Sequence, residues 1–356
     1  MIRFRWTVLG LPFFYLFFIG ASSSSPMSEK GILKYIAKKL RRNSATLRIN
    51  GKNLGDAGVR VLAESALLDT VTTLVLYKCN FGDEGVRALA NSTHLGNLRS
   101  LSLENDSITD RGAKIIATSK TFSSLTTLNL YHNQIKDSGA VAISESPVLT
   151  NLTALNLNYN RIRDEGAVRL TTSPELKNIR QIGLAYNPLG KNGQDAWRRF
   201  KVVRKLDELH RGNRLQEMGK FVLGDMGVFV LLDLPYASEL KELDLHGNDL
   251  SDRAVVAMAH SPRLSGLVAL NLASNHITDV GALALAGSKT LKNLKTLNLN
   301  FNRIGDRGAK AIAQSKILSN LESLKLGQNR IGGEGAVALE ESTFLTHLIH
   351  PIFGFY

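Results

Sequence analysis

The sequence predicts an α/β solenoid, a stack of coils that each supply one short strand and one helix. Three observations predict it. A motif returns every 27 residues; each copy switches from leucines at period two to small apolar residues at helical spacing; and an asparagine recurs at the junction between the two patterns. The chain of 356 residues, 44% apolar, is long enough to bury a continuous core when such units are piled up. Its one cysteine, Cys79, excludes an intrachain disulfide framework and a cysteine-based zinc site.

The period is read from the asparagine of "LNLYHN". Equivalent positions are Lys52, Cys79, Asp106, Asn133, Asn160 and Asn187, then Asn248, Asn275, Asn302 and Asn329, with a step of 27 inside each set and a gap of 61 between them. "FVLGDMGVFVL" (Phe221 to Leu231) is a worn copy with Phe221 in the marker place. One repeat plus seven extra residues then separate it from Asn187.

Within a unit the strand comes first. In "LTTLNL" Leu128 and Leu130 point inward while Thr127, Asn129 and Tyr131 point out. Asn129, Asn156, Asn271 and Asn298 recur so regularly on the outward side that they are expected to form a polar ladder. The marker asparagine follows at the turn, where its amide can satisfy backbone groups of the neighbouring coil. The helix, "KDSGAVAIS", opens with an aspartate that reads as an N-cap, as at Asp56, Asp83, Asp110, Asp164, Asp252, Asp279 and Asp306. The glycine after it (Gly58, Gly85, Gly112, Gly139, Gly166, Gly281, Gly308, Gly335) is expected to let the helix approach the strand closely.

The pattern L-x-x-L-x-L-x-x-N-x-L, seen in "LTNLTALNLNYNRI" (Leu149 to Ile162) and "LKNLKTLNLNFNRI" (Leu291 to Ile304), resembles the leucine-rich repeat over roughly residues 44 to 346. With a full helix per unit it resembles the ribonuclease-inhibitor-like subclass. The tags "GVRALA", "GAKIIA", "GALALA" and "GAKAIA" are similar to bacterial members, among them GALA-type effectors and repeat proteins of intracellular bacteria. The resemblance implies a curved horseshoe, strands concave and helices convex, that binds another protein. Some GALA-type relatives add an F-box that recruits ubiquitin ligase; here residues 27–43 have room for one short helix, and no F-box is found.

The outer segments divide the chain further. Residues 1–26 read as a secretory signal, with Arg3 and Arg5 ahead of an apolar run and small residues near Ala21 and Ser23. An uncleaved anchor and a true start at Met27 are the rival readings, so the expected location is secreted or membrane-associated, or cytoplasmic for the third. Residues 27–43 form a basic capping helix with Ile32, Ile36 and Leu40 on one stripe. Repeats fill 44–193 and 221–346, a basic helical insertion occupies 194–220, and 347–356 is an atypical tail.

The net charge of +13 is concentrated: +7 in residues 1–43 (eight basic, one acidic) and +5 in 191–220 (nine basic, four acidic) leave 13 − 7 − 5 = +1 for everything else. Nearly neutral repeats weigh against nucleic acid as the main partner. In the insertion, Arg198, Lys201, Arg204 and Lys205 fall on one side of a helix and Phe200, Val203 and Leu206 on the other, which makes the basic side a candidate for an anionic partner.

No nucleophile elbow, zinc-protease, P-loop or dinucleotide fingerprint is present, so no catalytic residue, cofactor or metal ligand set is assigned. His347 and His350 in the tail are too few for a metal site. The candidate binding residues are the outward positions that the repeat does not dictate: Tyr77, Glu104, Tyr131, His132, Asn158, Tyr159, Arg180, Tyr186, Asp244 and His246. Tyrosine offers a large contact area with little side-chain entropy to lose, so this row fits a protein ligand. The expected function is a non-enzymatic protein-binding scaffold, a bacterial secreted or effector-type protein. Its alternatives are a ubiquitin-ligase adaptor, and a protein that meets membrane or nucleic acid through the basic insertion; the N-terminal apolar segment is a second route to a membrane.

Overall fold

The computed structural model describes residues 25–349; residues 1–24 of the leader or anchor expected over 1–26, and the tail beyond 349, with His350, lie outside them. Among the described residues, ten short parallel strands lie in two sheets. The first holds β1 (Thr46–Asn50), β2 (Thr73–Tyr77), β3 (Ser100–Glu104), β4 (Thr127–Asn129), β5 (Ala154–Asn156) and β6 (Gln181–Gly183). The second holds β7 (Glu242–Asp244), β8 (Ala269–Asn271), β9 (Thr296–Asn298) and β10 (Ser323–Lys325). Pairing is coil to coil at the repeat spacing, Leu101 opposite Leu128 and Leu128 opposite Leu155, so the inward leucines stack in a row.

The helices form the opposite layer. After α1 (Glu29–Leu40) come α2 (Gly55–Ala63), α3 (Asp83–Ala90), α4 (Asp110–Thr118), α5 (Asp137–Ser144) and α6 (Asp164–Thr171). Then follow α7 (Lys191–Arg211), α8 (Gly224–Asp233), α9 (Asp252–His260), α10 (Asp279–Ala286), α11 (Asp306–Ala313) and α12 (Gly333–Glu340). Strand leucines such as Leu128 and Leu130 and helix residues such as Ala140 and Ile143 are fully buried between the layers. Helix α1 lies against the first coil with Ile32 and Ile36 buried, which covers core that an end coil would leave to water.

Each marker asparagine ties two coils together. Asn160 Nδ2 donates to Leu130 O at 2.9 Å in the preceding coil and to Leu157 O at 3.1 Å in its own, while its Oδ1 accepts from Ile135 N at 3.0 Å. Where the marker is Asp106, one carboxylate oxygen accepts from Cys79 N and Phe81 N, and the other is buried without a hydrogen-bond partner in the place that an amide NH₂ takes elsewhere. Burial pushes the Asp106 carboxyl up to about 7; burial, and next Asp106, push the Cys79 thiol up to about 12.

The aspartates that open the helices correct the sequence reading. Each sits inside its helix, and its carboxylate caps the next one: Asp110 Oδ1 accepts from Lys136 N at 2.7 Å and Gly139 N at 3.0 Å, and Asp252 does the same for Thr278 and Gly281. This corrects the glycines too. A Cβ on Gly139 would stand 2.6 Å from Asp110 Oδ1 and 2.8 Å from Ile135 Cγ2, and one on Gly281 2.7 Å from Asp252 Oδ1 and 2.6 Å from Ile277 Cγ2. Glycine there makes room for a carboxylate from the neighbouring coil as well as for the isoleucine of its own coil. A third row, unread in the sequence, closes the far ends: Ser146 Oγ donates to Ala117 O and Ser315 Oγ to Ala286 O, each in the coil before.

The strand-end asparagines lie in register, Asn129 beside Asn156 and Asn271 beside Asn298, and each spends its side-chain oxygen on its own coil. Asn129, Asn156, Asn271 and Asn298 each accept from a backbone N–H two residues on in their own coil, at 3.0 to 3.2 Å. That N–H leaves the sheet there, and the side-chain oxygen replaces its partner.

The break between the sheets is made by α7. It starts in the ordinary register, Gly193 N donating to Asp164 Oδ1, and then runs on to 21 residues where its neighbour α6 has eight. A 3₁₀ turn (Leu215–Lys220) stands beside β7 where the next strand belongs. The helix therefore begins ahead of the insertion expected at 194, because the first turn still belongs to the repeat.

Candidate functional site

Helix α7 decides what the strand face presents. The Trp197 indole donates to Ile182 O at 2.7 Å, on the open edge of β6, and Phe200 is buried in the core of the first sheet. Leu206 and Leu209 enter the second core. Anchored on both sides, the helix carries its later turns across the strand face instead of leaving them on the outside. The expectation of a basic outer face is corrected accordingly: Lys201, Arg204 and Lys205 form one wall of a cleft of about 760 Å³ whose floor is β4 to β6. The floor residues include Asn129, Asn156, Asn158, Arg180, Gln181 and Gly183.

The cations of the wall are held by rings. Lys201 Nζ lies 4.0 Å from the Trp197 ring, the Arg204 guanidinium 5.2 Å from Phe200 and Lys205 Nζ 4.4 Å from Phe221. Arg198 is outside the cleft and paired with Asp195 at 3.2 Å. Arg211, about two helical turns beyond Arg204 and Lys205, lines the cleft and was missed in the sequence, although continuing the same stripe by seven residues reaches it.

The aromatic candidates occupy a separate part of the same face. His132, Tyr159 and Tyr186 take one position in three successive coils, all with left-handed backbone at φ of 55°, 57° and 59°. Tyr159 and Tyr186 are stacked at 4.1 Å, and Tyr131, one residue earlier in its coil and half-buried, meets Tyr159 edge-on at 5.1 Å. Tyr186 is 72% exposed. Asn158 joins the two parts: it lines the cleft, precedes Tyr159, and its Oδ1 accepts from Ala185 N at 2.8 Å.

The remaining candidates are apart from these. Tyr77 and Glu104 lie in the two coils before Tyr131, with Ser102 Oγ donating to Glu104. Asp244 and His246 are in the second sheet, joined to each other at 2.9 Å and close against Gly219. Among the described residues no helix is long and apolar enough to cross a membrane, and no group of three or more histidine, cysteine, aspartate or glutamate side chains is placed to hold a metal ion.

Comparison with known proteins agrees with this geometry at the level of the repeat. A family model described as Leucine Rich repeats (2 copies) matches residues 265–306, and one described as Leucine Rich repeat matches 69–90, 123–144, 148–170, 238–259 and 318–339. No curated protein matches the chain. Among solved structures, an internalin (inlF) from Listeria monocytogenes str. 4b F2365 is 19% identical, with 90% of this chain and 92% of that one covered and a TM-score of 0.29. An internalin C2 (inlC2) from the same strain is 20% identical over 80% and 81% of the two chains, with a TM-score of 0.26. The parallel register, the marker amides and the matched repeats lead to one conclusion: this chain folds as a solenoid of leucine-rich repeats.

Proposed function

We propose that the chain is a non-enzymatic scaffold that binds another polypeptide on its concave, strand-lined face, around Tyr131, His132, Tyr159 and Tyr186. The carrying observation is the row of rings at left-handed positions. That backbone suits glycine or asparagine, and the equivalent residues elsewhere are Gly51, Lys78, Asn105, Gly247, Ser274, Phe301 and Gln328, among which the one ring, Phe301, has no aromatic neighbour at this position in the adjacent coils. Nothing in the repeat asks for three consecutive aromatic rings there, two of them stacked and open to solvent. Rigid exposed aromatics of this kind are what protein interfaces concentrate.

The position supplies its own control. Tyr159→Asn and Tyr186→Asn give the backbone a residue it favours, so the double variant is expected to unfold at the same temperature as the parent or slightly higher. Affinity capture with the full chain as bait is expected to lose its partner in that variant. Retained capture rejects the aromatic row as the binding site.

A further inference from the structure

We propose that the cleft between α7 and β4 to β6 seats an extended acidic segment of a partner polypeptide, its carboxylates on the α7 wall and its backbone over the asparagine floor. The proposal rests on the reading of the concave face as a protein-binding surface and adds the chemistry of the partner.

Charge is the first ground. Five cations, Arg180, Lys201, Arg204, Lys205 and Arg211, line the cleft against one carboxylate, Glu208, which is spent on Lys205 at 3.3 Å. A second hollow of about 290 Å³ shares Arg180, Arg204 and Arg211, adds Lys177, and has no acidic lining residue at all. Among the described residues Arg180, Lys201 and Arg211 have no ion pair, so the fold leaves their charge uncompensated. In a recess with low-dielectric walls, such charges attract a counter-ion more strongly than they do on an open surface.

Hydrogen-bond supply is the second ground. Arg204 Nε is buried with no partner, and the one contact of its guanidinium to Asp207 is long, at 3.4 Å. On the floor, Asn129 and Asn156 use their Oδ1 on their own coils and leave their NH₂ groups as donors. The cleft is therefore rich in donors and poor in acceptors, the complement of carboxylates and peptide carbonyls.

Shape selects the class. The floor spans three strands, about 10 Å at the usual strand spacing, which suits an extended chain crossing the sheet and is too narrow for a nucleic-acid duplex. A recess overhung by a helix does not meet a flat bilayer either. Arg clusters reading acidic motifs are a known use of this chemistry.

The test is fluorescence anisotropy of the full chain with a short labelled Asp/Glu-rich peptide, the same peptide in Asn/Gln form, and a single-stranded thymidine oligonucleotide. The acidic peptide is expected to bind, the neutral one not, and affinity to fall steeply with salt. Lys201→Gln with Arg211→Gln, on the helix, and Arg180→Gln with Lys177→Gln, on the strand side, are each expected to weaken binding about tenfold or more. Arg198→Gln, on the same helix outside the cleft, is expected to change nothing. Equal binding of the two peptides, tighter binding of the oligonucleotide, or normal binding by both cleft pairs overturns the proposal. The tyrosine double variant keeps the two readings apart: capture lost there while no acidic peptide binds sinks the cleft and leaves the aromatic row standing, and the reverse result supports the cleft and sinks the row.

Discussion

Between Asn133 and Asn187 the stack makes the same bonds three times over, whereas between Asn187 and Asn248 it holds together by other means. In the regular stretch each marker amide reaches one coil back, Asn133 to Leu103 O, Asn160 to Leu130 O and Asn187 to Leu157 O, at 2.8 to 2.9 Å. Across the break the strand pairing stops and the core divides into two clusters. One helix spans the gap, its indole on the last strand of one block and its leucines in the core of the next. In a solenoid each interface adds its own term to stability. The regular region spreads that term over many side chains, and the break concentrates it in α7. The helix that repairs the break is also the one that builds the cleft.

Removing a principal α7 contact is expected to have the largest effect. Phe200→Ala empties a buried site at the junction, which costs about 3 to 5 kcal/mol for a ring of this size. Calorimetry is expected to show the unfolding of the two blocks drawing apart; one unshifted transition excludes Phe200 as their coupling. The regular region should yield less to a single change, because neighbouring coils keep their own ladders. Asn160→Ala is expected to cost about 1 to 3 kcal/mol in denaturant unfolding, since Leu130 O, Leu157 O and Ile135 N all lose their amide partner.

A steric version follows from the aspartate row. Gly139→Ala places a methyl 2.6 Å from Asp110 Oδ1 and is expected to cost about 1 to 2 kcal/mol. Gly58→Ala, which faces no carboxylate and whose nearest neighbours are Ile32 and Leu54 carbons at 3.1 Å, is expected to cost less. Because Ile135 Cγ2 would also stand 2.8 Å from the Gly139→Ala methyl, the same change is made beside Asp110→Ala, and a Gly139→Ala loss undiminished there would mean that helix packing, not the carboxylate, selects glycine.

Asp106 sharpens the comparison inside the regular block. Its folded value of about 7 lies above the ordinary 3.8, so the native state holds the proton more tightly than the unfolded chain. The stabilisation is complete below pH about 4 and disappears as pH rises through 7. The parent is therefore expected to be less stable at pH 8 than at pH 5. Asp106→Asn restores the amide, adds about 1 kcal/mol at pH 8 and flattens that slope; a parallel pH profile in the variant would remove Asp106 as its source. The smallest effect is local: hydrogen exchange is expected to be faster over residues 212–220, where the 3₁₀ turn replaces a strand, than over β5.

Most of the architecture was legible because its signals are local. Leu128 and Leu130 alternate, Ala140 and Ile143 fall on a helical face, and Asn133 returns at a constant interval, so strand, helix and coil length follow from neighbours in sequence. The site was only half legible. Tyr159 and Tyr186 were found as outward residues, but their stacking at 4.1 Å needed the coils side by side. The wheel of α7 sorted Lys201, Arg204 and Lys205 from Phe200 and Leu206 correctly, yet gave the basic side to the outside.

By itself, then, the sequence determined the period, the strand and helix of the regular coils and which of their residues are buried, since these depend on side-chain spacing along one chain. The tertiary structure alone decided which groups meet between coils: that Asp110 caps the helix of Gly139 and not its own, that Gly139 clears space for that carboxylate, and that α7 turns over the strands instead of away from them. The physical reason is that backbone donors and charged side chains are satisfied by whatever lies closest in space. In a solenoid that neighbour is a full coil away in sequence.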